Sequence, residues 1–351
     1  MTDEQEAAVP AEDGTETVDR DDELHYPPVE NGLDYMASVV EHLRGDDVSR
    51  RDLKYAVVHL QAAVECLLKY RLELEHWTLV FANPGNAKRG QLDDGSLNSC
   101  TTTEAIARLT NIAGVVISKN EIKALDQVAN LRNALQHYGR PHDPSPENKV
   151  NRYKIQANTA EVLEFLMHFL EKELLPRLPG SELQAAAKDM ESIRDGLGEI
   201  YDYGKARMNR IRARLADVVD RAIGCPICTY WAVAVKDGTA SCLFCLSSWT
   251  AEAGAAAYVA EVLRRGWGRT RHDDHVGHCE PVERCPSCEA HALVRRVGAA
   301  DELDRYIDLC FSCGETNVHP EFCEQCRALY PPVDGEMACD GCLRAEVKVG
   351  S

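Results

Sequence analysis

Residues 225–245 read CPICTYWAVAVKDGTASCLFC. Two C-x-x-C pairs, Cys225/Cys228 and Cys242/Cys245, flank strand-like runs that meet at Asp237-Gly238. Asp-Gly between alternating apolar residues is a strong hairpin signal. C-x-x-C lets both sulfurs of a tight turn reach one ion. A hairpin that brings two such turns together completes a tetrahedral thiolate site. The stretch predicts a small β module of zinc-ribbon type over 223–250.

The same grammar recurs downstream. Cys323/Cys326 and Cys339/Cys342 flank RALYPPV, Asp334-Gly335 and EMAC, predicting a ribbon over 320–345. Cys285/Cys288 and Cys310/Cys313 are joined by the longer ALVRRVGAADELDRYIDL, predicting a ribbon over 285–314. Between the first two lies a helical insert and linker over 251–284, with a helix over 251–265. Six C-x-x-C pairs predict about three structural zinc sites, one for each four thiolates. Sequential pairing within each ribbon is the expectation, with cross-braced pairing left open. Cys279, with His272, His275 and His278 close by, reads either as a further metal site or as a solvated loop, since no second knuckle flanks it. Cys66 lies on an apolar helix stripe and reads as core, and Cys100 sits in a polar loop.

A disulfide reading of the 15 cysteines would need an exported chain. The amino terminus, MTDEQEAAVPAEDGTETVDRDDELHYPP, has neither the basic start nor the apolar stretch of a signal peptide. No apolar run reaches the length of a membrane span. A cytoplasmic location with reduced thiols and no membrane partner is expected. A thioredoxin-like role would need one C-x-x-C opening a helix in a βαβ setting, which is not the pattern.

Upstream of the cysteines the periodicity turns helical. Residues 1–26 hold ten acids and one base, so a disordered acidic tail is expected over 1–28. Residues 27–222 are close to neutral, with 28 acids and 26 bases. The net charge of −18 therefore makes the whole chain a poor polyanion binder, and any nucleic-acid contact must be local. Helices are predicted over 33–43, 50–75, from about Thr103 to Leu109, over 119–138 and over 146–175. Ser118 and Glu121 have capping-box spacing, and Gly139 and Pro141 stop the fourth helix. Together these predict a helical bundle over 29–178. Residues 179–222 read as one long, exposed connecting helix, interrupted at Gly196, Gly198 and Gly204.

The helix over 119–138 ends in NLRNALQHYG. Asn133 and His137 are four apart and share a face. Arg132 and His137 are five apart, about 140° around a regular helix. Ile122, Leu125, Val128, Leu131 and Leu135 form the apolar stripe, which leaves the polar trio off the core. Taken alone, the trio reads as a helix end decorated with favourable cations. In its context, R-N-x-x-x-H closing a bundle helix resembles the HEPN (higher eukaryote and prokaryote nucleotide-binding) superfamily and its R-x(4–6)-H motif. The segment RRDLKYAVVHLQAAVECLLKYRL, which carries Glu65, looks like that family's first long helices. The likeness covers about residues 30–175. It implies metal-independent RNA cleavage, with paired protomers bringing their motifs together. By that likeness His137 acts as general base or acid toward a ribose 2′-OH, Arg132 stabilises charge on the scissile phosphate, and Asn133 orients one of them. A homodimer through the bundle is implied too.

Two basic stretches, KARMNRIRAR (205–214) and RRGWGRTR (264–271), read either as RNA-backbone contacts or as a solvated helix face and a basic loop, the second being favoured. Walker-type loops, HExxH and a serine nucleophile elbow are missing from the sequence. The expectation is a HEPN-type ribonuclease module tied to zinc ribbons that bind RNA or a protein partner. The rival expectation is a non-catalytic dimeric adaptor whose ribbons dock proteins.

Overall fold

The computed structural model describes residues 26–45, 47–137, 152–263, 282–301, 305–316, 321–322 and 329–330. Residues 1–25 of the acidic tail, Gly139 and Pro141, the His272–Cys279 set, the basic stretch 264–271 and the four cysteines of the third ribbon lie outside these residues, whereas Pro28, placed in the tail by its sequence, opens the first helix. The chain is helical through its amino-terminal part and carries small antiparallel sheets with cysteine clusters after it.

Helix α1 (Pro28–Leu43) starts five residues before the predicted 33, because Pro28 at the first helical turn needs no N–H partner. Helix α2 (Arg50–Glu75) is capped by Ser49, whose side chain accepts from the Asp52 N–H. Leu33, Met36, Val40 and Leu43 of α1 are buried with Leu60, Val64 and Leu67 of α2. After the short α3 (Arg89–Asp93), α4 (Thr102–Asn111) opens on a capping box of Thr101 with Glu104, two residues upstream of the expected start. Cys100, just before it, is buried, and its N–H donates to the Val80 carbonyl.

Helix α5 (Lys119–His137) opens as its sequence predicts. The Ser118 N–H donates to Glu121 at 2.7 Å and the Glu121 N–H to Ser118 at 3.2 Å. Helix α6 (Arg152–Phe169) runs antiparallel to it, with Asn158 donating to Gln127 and Arg210 bridging Glu121 to Glu164. A π turn over Leu170–Leu174 extends α6 to the Pro176 break.

The predicted single exposed helix over 179–222 is instead two helices, α7 (Gly180–Leu197) and α8 (Tyr201–Ala216). Neither stands free. Met190, Ile193 and Leu197 of α7 pack toward α1, and Tyr203, Arg207 and Ile211 of α8 toward α6. The apolar spacing that suggested a strut or paired coil is the stripe that joins both helices to the bundle core. Among the described residues, no helix is long and apolar enough to cross a membrane.

Among the described residues, three antiparallel sheets follow. The first holds β1 (Ile223–Gly224), β2 (Trp231–Lys236), β3 (Thr239–Cys242) and β4 (Ser248–Thr250) in sequence order. Asp237 and Gly238, both with positive φ, make the β2–β3 turn. The second holds β5 (Glu283–Arg284), β6 (His291–Gly298) and β7 (Tyr306–Cys310). Strands β8 (Glu321–Phe322) and β9 (Leu329–Tyr330) form the third. Helix α9 (Ala251–Ala257), continued by a π turn to Leu263, lies between the first two sheets. Its Gly254 admits both Ala240 and Phe311, and buried residues of both sheets and of the helices share one core, with Cys285, Leu293 and Cys310 forming a small cluster of their own.

Candidate metal centres

The first sheet brings four sulfurs together. Cys225 Sγ lies 3.8 Å from Cys245 Sγ, and Cys228 Sγ 3.7 Å from Cys242 Sγ. The second sheet repeats this, with 3.8 Å between Cys285 and Cys313 and 3.7 Å between Cys288 and Cys310. Within each set all four sulfurs lie within 4.8 Å of one another. A disulfide needs about 2.05 Å. A tetrahedron of thiolates with metal–sulfur bonds of about 2.3 Å has edges of about 3.8 Å. The spacing matches the tetrahedron, and the two knuckles of each hairpin pair with each other, as the sequential expectation had it. Among the described residues, two four-cysteine clusters that fit a metal ion are therefore present.

Each knuckle is built by its backbone. Thr229 and Glu289, one residue past the first C-x-x-C, and Leu246 and Gly314, one past the second, all have positive φ. That bend turns the Thr229 N–H back to the Cys225 carbonyl and the Glu289 N–H back to Cys285. Amides also point at sulfur: the N–H groups of Ile227, Cys245 and Ser312 approach Cys225, Cys242 and Cys310 at 3.4, 3.5 and 3.4 Å. Such donors stabilise thiolate charge. Burial pushes the Cys242 and Cys310 thiols up, and contacts with the neighbouring cysteines push the same way. A cation among the sulfurs would offset the charge of four converging thiolates.

The two modules are copies in register. Gly224 pairs with Trp231 and Arg284 with His291, while Val233 faces Cys242 and Leu293 faces Cys310. In the third sheet Phe322 pairs with Leu329, again joining the residue before a C-x-x-C to the third residue after it.

The clusters differ in their surroundings. All four cysteines of the first are buried, whereas Cys288 and Cys313 of the second are exposed. The first is covered by α7 and α8. Arg207 donates to the carbonyls of Phe244 (3.1 Å) and Leu243 (2.7 Å), inside the second knuckle, and Arg194 to that of Cys245 (3.2 Å). The Phe244 ring stacks on Tyr230 at 3.7 Å and meets the edge of Tyr203 at 5.3 Å. Gly198 and Gly204 explain the glycines in this stretch. A Cβ at Gly198 would sit 2.7 Å from the Cys228 carbonyl oxygen, and one at Gly204 would strike the Tyr230 hydroxyl. Because the obstacle at Gly198 is backbone, Gly198→Ala should destabilise the protein by about 1–3 kcal/mol through overpacking. Chemical denaturation of the full chain measures it, and an unchanged midpoint would show that the contact can relax.

Scanned against family models, curated proteins and solved structures, the chain matches none.

The stretch 205–214 is divided: Lys205 and Arg212 lie on an exposed face, while the other three bases meet acids. Arg207 pairs with Glu164 and Glu171, Arg210 with Glu164 and Glu121, and Arg214 with Glu171. Burial would raise the Glu171 carboxyl, but Lys172 and Arg207 hold it down at about 2. Sequence spacing shows five bases and hides the acids, which come from α5, α6 and the turn after α6.

At the far end of α5, Arg132 is half-buried and its Nη2 donates to Glu65 of α2 at 3.0 Å, with Gln136 at 3.4 Å. Glu65 also faces Lys69 at 3.6 Å and accepts from Gln61 at 3.3 Å. Asn133 and His137 are exposed. The structure thus joins Arg132 to Glu65 and leaves Asn133 and His137 facing solvent.

Proposed function

We propose that the chain is a metal-independent endoribonuclease of HEPN type, built onto modules that each fold around zinc. The observation that carries the catalytic half is the Arg132–Glu65 pair, which fixes one guanidinium at the end of α5 where Asn133 and His137 are open to solvent. Glu65 orients the guanidinium while leaving its other N–H groups to meet a phosphate. His137 is suited to take the proton of a ribose 2′-OH, because its exposed imidazole carries a nitrogen that can accept it. The 2′ oxygen then attacks phosphorus, the 5′ oxygen leaves with a proton, and a 2′,3′-cyclic phosphate remains. Asn133 positions the imidazole or the phosphate. The five-residue offset of Arg132 and His137 around the helix is met by a second protomer contributing its own motif.

For the metal half, Cys225, Cys228, Cys242 and Cys245 would hold one ion and Cys285, Cys288, Cys310 and Cys313 another. Cys323, Cys326, Cys339 and Cys342 would hold a third; the shared strand register of β8 and β9 supports this. Four thiolates in a closed tetrahedron favour zinc, which there serves folding and not chemistry. The ribbons then present RNA or a protein partner to the bundle.

Purified protein should cleave RNA in EDTA, which strips free divalent ions. His137→Ala and Arg132→Ala should each lower the rate at least about 100-fold, the low end for losing a general acid–base group. Equal rates in mutant and wild type would remove these residues from the chemistry. A specific observation favours a second reading, that of a dimeric adaptor: the Arg132 guanidinium is already engaged by Glu65 and Gln136. Protein that cuts no RNA yet dimerises would establish it. Elemental analysis should find about three zinc ions per chain, one per set of four cysteines.

A further inference from the structure

The two described cysteine clusters have the same fold, the same sulfur spacing and the same knuckle hydrogen bonds, yet only the second opens to solvent. The first lies under α7 and α8, with Arg194 and Arg207 bound to its knuckle carbonyls. Cys313 and Cys288 sit one on each knuckle of the second and both are exposed. Metal-bound sulfur keeps thiolate character, and thiolate character with exposure decides which cysteines react with oxidants.

We propose that the second cluster is an oxidation site at which a peroxide converts metal-bound thiolates to a disulfide and so releases the metal. The inference rests on the reading of that cluster as a zinc centre. Cys313 is the entry point. Its sulfur attacks one oxygen of the peroxide, the O–O bond breaks, hydroxide leaves, and a sulfenic acid remains. The Cys285 sulfur, 3.8 Å away, attacks the sulfenic sulfur, expels a second hydroxide and closes the disulfide. Two thiolates have lost two electrons to the peroxide, and its two oxygens have left as hydroxide. The two thiolates that remain, on Cys288 and Cys310, cannot close a tetrahedron.

The consequence reaches the first sheet. The Cys310–Cys313 knuckle makes part of the contact with the first module, beside the bond from the Ala300 N–H to the Ala222 carbonyl and the approach of Trp231 to Gly298. The Gly238 N–H, in the β2–β3 turn, donates to the Ser312 carbonyl at 2.9 Å. Phe311 is buried against Gly254 of α9, with its ring 5.8 Å from that of Tyr258. Gly314 approaches the Val235 carbonyl. Opening this knuckle loosens the seam between the two sheets and leaves the first metal cluster closed under its helices.

The test treats the full, metal-loaded chain with hydrogen peroxide and maps every cysteine by differential alkylation and mass spectrometry. Metal is measured before and after. The expected result is that Cys313 and Cys288 oxidise on the order of ten-fold faster than any cysteine of the first cluster, as exposure governs the rate. A disulfide from Cys313 to another cysteine of its set should appear with metal release, and the Gly238 amide should exchange faster. Thiol reductant with added zinc should reverse all three. Cys313→His keeps a metal ligand and cannot form that disulfide, so its second cluster should release metal under peroxide more slowly than wild type, by the Cys288–Cys310 pair alone. Metal present but retained, or equal oxidation of both clusters, overturns this inference alone. A second cluster that never holds metal overturns the zinc reading along with it.

Discussion

Cys242→Ser is expected to empty the first metal centre and unfold the first ribbon. Serine nearly preserves volume, so the change removes a ligand without a packing defect. A closed thiolate site contributes about 10–16 kcal/mol of apparent binding free energy, which in such modules is folding free energy. The damage should spread, because this ribbon is the cover of α7 and α8. Tyr203 and Tyr230 pack on Phe244, and Arg207 relies on the Leu243 and Phe244 carbonyls. Elemental analysis should show one metal equivalent lost, and hydrogen exchange should show α8 losing protection along with β2 and β3. Cys66→Ser, which alters a sulfur outside both clusters, should keep full metal content. Full metal content and unchanged exchange in Cys242→Ser would mean that this cysteine is not a ligand and that the ribbon stands on its apolar core alone.

The ligand sets were legible because C-x-x-C and Asp-Gly are local signals: each knuckle and the β2–β3 turn are fixed by residues a few positions apart. The Ser118/Glu121 capping box is local in the same way. What stayed hidden depends on residues distant in sequence. Arg207, Arg210 and Arg214 look like a solvated basic face until Glu164 and Glu171, from α6 and the turn after it, are placed beside them. Gly198 and Gly204 look like helix interruptions, and only the approach of Cys228 and Tyr230 shows why they carry no side chain. The contrast between the buried and the exposed cluster is likewise set by what covers them, which identical motifs cannot encode. At Arg132 the sequence supplied both partners, Glu65 and the motif, but their meeting is a property of how α2 lies on α5.

The same distinction between local and distant causes governs Arg207→Met. The Arg207 side chain is 0% exposed and that of Glu164 4%. Methionine fills much of the same space, so the loss is chiefly of charge and hydrogen bonds. Burial pushes the Glu164 carboxyl up, and Arg210 and Arg207 together oppose this. Without Arg207, Glu164 keeps Arg210, at 2.6 Å, and the Leu243 and Phe244 carbonyls of the cysteine knuckle lose this donor. Breaking a buried ion pair by removing one partner costs about 3–5 kcal/mol, and the surviving Arg210 places this case near 3. Glu171, the other partner of Arg207, keeps Arg214 and Lys172, so replacing Glu164 as well removes the less compensated charge, and Arg207→Met with Glu164→Gln should recover part of that loss. Glu121 remains to pair with Arg210 in the double variant. Chemical denaturation of the two variants and of Glu164→Gln alone gives the coupling as a double-mutant cycle. A single variant as stable as wild type, or a double variant whose loss equals the sum of the two, would show that α8 is held to the ribbon by apolar packing and not by this network.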